Sequence, residues 1–130
     1  MANNITIRGG SLLSQIKADF DVTETIVNEA SKDCTYKAAR KTKELLKGAP
    51  LGGRKYNHGW AIQREEFAAI VYQKAQPTLT HLLEYGHDVI VNGRKVGEAR
   101  AIPHIEPANE IGKKYFEELI IEEVERRLNG

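Results

Sequence analysis

Leu79 to Asn109 reads LTHLLEYGHDVIVNGRKVGEARAIPHIEPAN, and the reading of the whole chain turns on it. Leu79, Leu82 and Leu83 recur at helical spacing, so a brief helix starts at Pro77-Thr78, runs to Tyr85 and is ended by Gly86. Asp88-Val89-Ile90-Val91 and Arg94-Lys95-Val96 flank Asn92-Gly93, the strongest two-residue signal for a type I′ turn. A hairpin with a polar, basic tip is therefore expected to project from the body. Ala101 to Ala108 then leads into the last helix, with Pro107 suited to its first turn and Glu106 and Glu110 at its positive end. The stretch also holds His81, His87 and His104, three of the four histidines.

Working upstream, Phe67 to Gln73 and Gly59 to Arg64 read as two strands around a tight Glu65-Glu66 turn. The pairs Trp60/Ile62 and Ile70/Tyr72 are expected on one core-facing side of an antiparallel pair, with Trp60 as an anchor. Leu51 to His58 (LGGRKYNH) has two glycines, two bases and no apolar period, and reads as an exposed, mobile loop. Before it, a long helix runs from a cap at Asp21 or Thr23 to about Lys47. Its stripe is Ile26, Val27, Ala30, Cys34, Ala38, Leu45 and Leu46. The middle of that stripe is small, so another element could approach closely there. Gly48 is the expected C′ residue, and Pro50 forbids continuation. Ser11 starts a shorter helix carrying Leu12, Leu13, Ile16 and Phe20, and Ile5-Thr6-Ile7 is a short strand closed by Gly9-Gly10. Downstream, the final helix is expected to bury Ile111, Tyr115, Phe116, Leu119, Ile120, Val124 and Leu128. Two long amphipathic helices and a few antiparallel strands are best satisfied as an α+β domain. In it a small antiparallel sheet of about three to five strands is covered by the helices, and the basic hairpin projects.

One domain spans residues 1–130, a length that leaves no room for a second. An apolar fraction of 41% with 28% charged residues is ordinary for a globular chain, and the net charge of +1 supplies no general attraction to nucleic acid or membrane. No run approaches the ~20 apolar residues of a membrane span, and no leader pattern follows Met1. Cys34 is the single cysteine, so an intracellular or disulfide-independent protein is expected. The charge is unevenly placed: Lys37 to Lys55 carries seven Lys/Arg against one Glu, and Glu106 to Glu125 seven Glu against two Lys. Such flanks suit contact between unlike faces of neighbouring copies, or two solvated helix surfaces.

Catalytic chemistry finds little support. His81 and His87 are about 600° apart on a helix and share no face, so a metal site with Glu84 and His104 is disfavoured. In the ordinary reading His81 faces solvent, Glu84 accepts a hydrogen bond from a neighbouring loop, and His87 and His104 sit near an interface. Glu65 and Glu66, as successive residues, would point apart rather than converge on a metal. Cys34 sits mid-stripe, where packing outweighs reactivity, and Gly52-Gly53-Arg54-Lys55 lacks the features of a phosphate loop. No catalytic, metal-binding or cofactor-binding residue is assigned, and no small-molecule substrate or cofactor is expected. Arg54, Lys55, Tyr56, Arg94, Lys95 and Arg100 lie on segments that could reach a neighbouring protein or a DNA backbone, where cations need only be held in place.

The pairing of Leu82-Leu83-Glu84-Tyr85-Gly86 with Pro103-His104-Ile105 and Pro107-Ala108, separated by a basic Gly-containing loop, resembles a tail-component family of tailed bacteriophages. That family is typified by gene product ten of a lambda-like coliphage. The resemblance is strongest over residues 77–110. It departs at Leu51-Gly52-Gly53-Arg54, where many members have Thr-Gly. It implies a non-enzymatic virion protein of the neck, joining head to tail or completing the tail, in a six-fold or twelve-fold ring. The implied partners are further copies of itself, head-completion or connector proteins, tail-tube or tail-terminator proteins, and packaged DNA by non-specific contact. The implied location is the virion's head–tail junction, with host cytoplasm during assembly. Two other readings stand beside it: a small DNA-binding or nuclease-accessory module, and a toxin-like or antitoxin-like host module.

Overall fold

Strand β1 (Asn4–Arg8) alternates strictly, with Ile5 and Ile7 buried and Asn4 and Arg8 exposed. In the computed structural model, which describes residues 4–20, 23–48 and 53–129, it is followed by α1 (Ser11–Phe20), α2 (Glu24–Gly48), α3 (Gly53–Asn57), β2 (Trp60–Arg64) and β3 (Ala68–Gln73). Then come α4 (Pro77–Tyr85), β4 (His87–Val91), β5 (Arg94–Ala99) and α5 (Ile105–Asn129). The first three strands form one antiparallel sheet in the order β1–β3–β2, and β4 and β5 form a separate hairpin. The mixed helix-and-sheet class is as expected, with the strands divided between these two sheets.

Register decides which face is inside. Ile5 pairs with Val71, Ile7 with Ala69, Ile62 with Val71 and Trp60 with Gln73, so these residues share the helix-covered face. Ile70 and Tyr72 were expected beside Trp60 and Ile62 but lie on the opposite, half-buried face. Sequence alternation leaves the phase of β3 open, and the pairing sets it. Trp60 is buried, as expected of an anchor.

Helix α2 begins where Thr23 Oγ1 accepts the Ile26 amide at 3.4 Å, the role expected of an N-cap. Asp21, the other candidate, and Pro50 lie outside the described residues. Gly48 has no positive φ and is the last helical residue rather than a left-handed C′. The small stripe of α2 receives α5. A Cβ on Gly112 would stand 2.2 Å from Thr42 Oγ1, so the two helices touch nearly backbone to side chain. Thr42 lies opposite Gly112 while Arg127 reaches Glu29 at 3.3 Å and Asp33 at 2.7 Å, so α2 and α5 run antiparallel. Hydrogen bonds from Arg126, opposed by burial and joined by Arg127, hold the Glu123 carboxyl down to about 2.

This close approach corrects the expected core stripe of α5. Beyond Ile105, the buried residues are Ala108, Gly112, Phe116, Ile120 and Val124, in steps of four, whereas Ile111 and Leu128 are exposed. The contact at Gly112 turns that stripe inward and carries Ile111, about 100° away, to the surface. Helix α5 packs on β1, and α2 crosses all three strands. Among the described residues no helix is long and apolar enough to cross a membrane.

Candidate functional site

The expected loop from Leu51 to His58 is in part helix, and this correction leads to the centre of the molecule. Within α3, Arg54 and Lys55 are exposed but Tyr56 is only 1% exposed, so Tyr56 belongs to the core and offers nothing to a partner. A lone tyrosine in a polar stretch has no periodic neighbour to announce its burial. It is held by long-range contacts. Its backbone carbonyl accepts from Gln73 Nε2 at 2.9 Å, and Gln73 Oε1 accepts the amides of Ala75 (3.1 Å) and Gln76 (3.3 Å) ahead of α4. Gln73 and Thr80 were not singled out in the sequence. The phase of Gln73 with Ala69 and Val71 was the available sign of an inward polar group.

Helix α4 has Pro77 in its first turn and ends at Gly86, whose φ of 76° and ψ of 173° lie in a region that is essentially glycine's alone. A Cβ there would stand 2.7 Å from the Ala99 carbonyl oxygen and 3.0 Å from the Ala101 nitrogen. The chain leaves through β4, turns at Asn92 (φ 51°) and Gly93 (φ 76°), and returns through β5. Both positive φ values agree with the type I′ turn. On its return the Ile102 amide donates to the Leu83 carbonyl at 2.7 Å, closing the base of the arm.

That closure brings the two motifs together. The Glu84 carboxylate accepts the amides of His104 (2.7 Å) and Ile105 (2.9 Å) on Oε1 and of Glu106 (3.2 Å) on Oε2. These amides open α5 and have no partner within the helix, so a side chain from α4 caps α5 across the base of the arm. The general expectation that Glu84 accepts a hydrogen bond from a neighbouring loop is met in this form. Burial alone raises the Glu84 carboxyl, but the three amides and His104 outweigh it and hold it below the ordinary glutamate range.

His104 is buried beside it. Its Nδ1 lies 2.9 Å from Glu84 Oε1 and 3.0 Å from the Ile102 carbonyl oxygen. Both are acceptors, so Nδ1 carries a hydrogen. The Nε2 of His104 lies 2.6 Å from the Tyr56 hydroxyl. The Thr80 hydroxyl stands 3.1 Å from that of Tyr56, and the rings of Tyr56, Trp60 and His104 meet edge to face. Burial raises the Tyr56 hydroxyl, with Thr80 opposing and Glu84 adding to the rise. A phenol so enclosed fastens α3 to the α4–α5 joint.

The remaining motif residues frame this joint. Ile105 and Ala108 are buried, Leu82 and Leu83 half-buried, and Tyr85, Pro103 and Pro107 exposed. His81 is half-buried and its ring packs on Tyr85, and His87 is exposed at the arm's base. Among the described residues no group of three or more His, Cys, Asp or Glu is placed to hold a metal ion.

The arm itself has two unlike faces. Register pairs Asp88 with Glu98 and Ile90 with Lys95, and Lys95 Nζ lies 3.3 Å from Asp88 and 2.7 Å from Glu98, so on that face one lysine bridges two acids. Val89 lies opposite Gly97, His87 opposite Ala99 and Val91 opposite Arg94 on the other face, and Val96 is skipped by a bulge. Val89, Val91 and Val96 are all exposed. Arg54, Lys55, Arg94 and Arg100 are exposed and have no ion-pair partner among the described residues. An open groove at the base, lined by Tyr85, His87, Asp88, Glu98 and Arg100 among others, has both its carboxylates held by Lys95. Compared with protein families, curated proteins and solved structures, the chain has no match.

Proposed function

We propose that the protein is a non-enzymatic structural component of a tailed-phage head–tail junction, one subunit of an oligomeric ring that completes the tail or joins it to the head. The observation that carries this reading is the joint at Glu84. The two stretches that bear the family resemblance, Leu82–Gly86 and Pro103–Ala108, meet there, and Glu84 locks the helix before the arm to the helix after it. An arm held at a set angle to the body is what a repeating subunit needs in order to meet its neighbour in one geometry.

Within such a ring, the exposed bases Lys37, Arg40 and Lys41 of α2 on one copy face the exposed acids Glu117, Glu118 and Glu122 of α5 on the next. Arg54, Lys55 and Arg94 would line the passage, giving salt-dependent contact with DNA phosphates without base reading. Deleting the arm from Asp88 to Glu98 is the test in particles. The folded body should melt as before, while head–tail joining and infectivity are lost; infectious particles from the deletion would overturn the reading. Tight, sequence-dependent gel shifts by the isolated chain would favour a DNA-binding module instead.

A further inference from the structure

Asn92 and Gly93 form the tip of the arm, and both are exposed. The last ladder pair is Val91 with Arg94, which leaves the Gly93 amide outside the ladder. The Asn92 carboxamide has no hydrogen-bond partner among the described residues. A Cβ on Gly93 would meet nothing within 4 Å, so water reaches this peptide bond. Only two ladder pairs, Ile90–Lys95 and Val91–Arg94, stand between the tip and the bulge at Val89/Ile90. Ile90 is 56% exposed and Val91 50%, so little buried apolar surface holds the tip shut.

From these observations we infer that Asn92 is a modification site, whose side-chain amide is converted to a carboxyl when the tip opens and is protected while the turn is closed. In the first step the Gly93 nitrogen, its proton taken by hydroxide, attacks Asn92 Cγ. The bond from Cγ to the side-chain nitrogen breaks, ammonia leaves, and a five-membered imide remains. Water then opens the imide at either carbonyl. Attack at the side-chain carbonyl gives aspartate, and attack at the main-chain carbonyl gives isoaspartate. No electrons are exchanged, and water and hydroxide are the only co-reactants. Glycine hinders the first step least, because it has no Cβ.

The turn opposes that step. A type I′ turn sets the ψ of Asn92 at about +30°, which carries the Gly93 nitrogen to the side of the Cα–C bond away from Cβ. The imide needs ψ at about −120°, the setting of a type II′ turn. With φ at 51°, that is a backbone conformation glycine takes readily and asparagine does not. The two pairs below the tip must therefore part before the ring can close. The products then differ in consequence. Aspartate keeps the arm, since Asp-Gly favours the same turn. Isoaspartate adds a methylene to the backbone of a two-residue loop, and the pairing of Val91 with Arg94 is lost. The inference concerns the arm alone and holds whether or not the protein enters a virion.

The test follows the full-length chain at neutral pH by mass spectrometry of the peptide that carries Asn92. Electron-transfer fragmentation separates aspartate from isoaspartate. Conversion should proceed in buffer and run about ten-fold or more faster in urea. Ile90→Pro breaks the ladder at an exposed position below the turn. It should bring the rate in buffer up to that in urea, while Trp60 fluorescence and the melting of the body stay as in wild type. Isoaspartyl chains should exchange the Arg94 amide hydrogen faster than Asn92→Asp chains do. No conversion in buffer, equal rates in buffer and urea, an Ile90→Pro chain as slow as wild type, or isoaspartyl chains that exchange like Asn92→Asp would each overturn the inference.

Discussion

Removing the carboxylate of Glu84 is the sharpest perturbation of this fold. In Glu84→Ala the amides of His104, Ile105 and Glu106 lose their acceptor. His104 and Ile105 are buried and water cannot replace it, whereas Glu106 is exposed and can be rehydrated. Two buried orphaned donors cost about 1–3 kcal/mol each, and a lost anion at a helix N-terminus about 1 kcal/mol more. The expected loss is therefore about 3–7 kcal/mol, a large part of the roughly 5–15 kcal/mol that a domain of this kind has in total. Glu84→Gln retains an acceptor oxygen but not the charge and should lose about 2 kcal/mol. Urea unfolding followed by tryptophan fluorescence reads both, because Trp60 packs against His104. The pH dependence supplies a second check. The Glu84 carboxyl sits lower in the folded chain than in the unfolded one, so its contribution is complete above the unfolded value of about 4.3 and is lost as pH falls through the folded one. The gap between wild type and Glu84→Gln should be full at neutral pH and shrink progressively below about pH 4. A loss under about 1 kcal/mol for the alanine, or a gap that ignores pH, would refute the capping argument.

Further outcomes follow from the same geometry. Gly86→Val forces a branched side chain into a glycine-only conformation and against the Ala99 carbonyl; it should lose about 3 kcal/mol or more in thermal or urea unfolding, beyond any helix-propensity effect. Gly112→Ala gains about 1 kcal/mol of helix propensity but drives a methyl into Thr42 Oγ1, which is itself bonded to the Ala38 carbonyl at 2.8 Å. Overpacking of about 1–3 kcal/mol should prevail, and Thr42→Ala in the same chain should recover most of it in a double-mutant cycle. Cys34 is buried and its thiol is pushed up to about 11, chiefly by desolvation, with Glu123 adding to the rise; at neutral pH it should ignore a disulfide reagent until urea unfolds the chain. Self-association should weaken between low and high salt in light scattering if the basic α2 and acidic α5 flanks meet, and indifference to salt would rule that pairing out.

Local rules carried a good deal of the structure. Asn92-Gly93 specified its turn because both positions need positive φ, and the fall-off to small residues along α2 foretold a close neighbour, which proved to be Gly112. The alternation of β1, the Thr23 cap and the stop at Gly86 were legible for the same reason: each is decided by residues within one turn of itself. Other features had no local sign. The burial of Tyr56 depends on Gln73, Thr80 and His104, which are distant in sequence. The inward phase of β3 came from its pairing with β1 and β2, and the exposure of Ile111 from the rotation of α5 at one contact with α2. The joint at Glu84 stands between the two cases. Its residues could be singled out in the sequence, but their work could not, because a carboxylate finds unpaired helix amides twenty or more positions away only after the arm between them has closed. The sequence by itself determined which segments would be helix, turn and strand, except for α3, which it read as loop; tertiary packing alone decided which faces were buried and which polar groups met, since those depend on register and rotation rather than on local propensity.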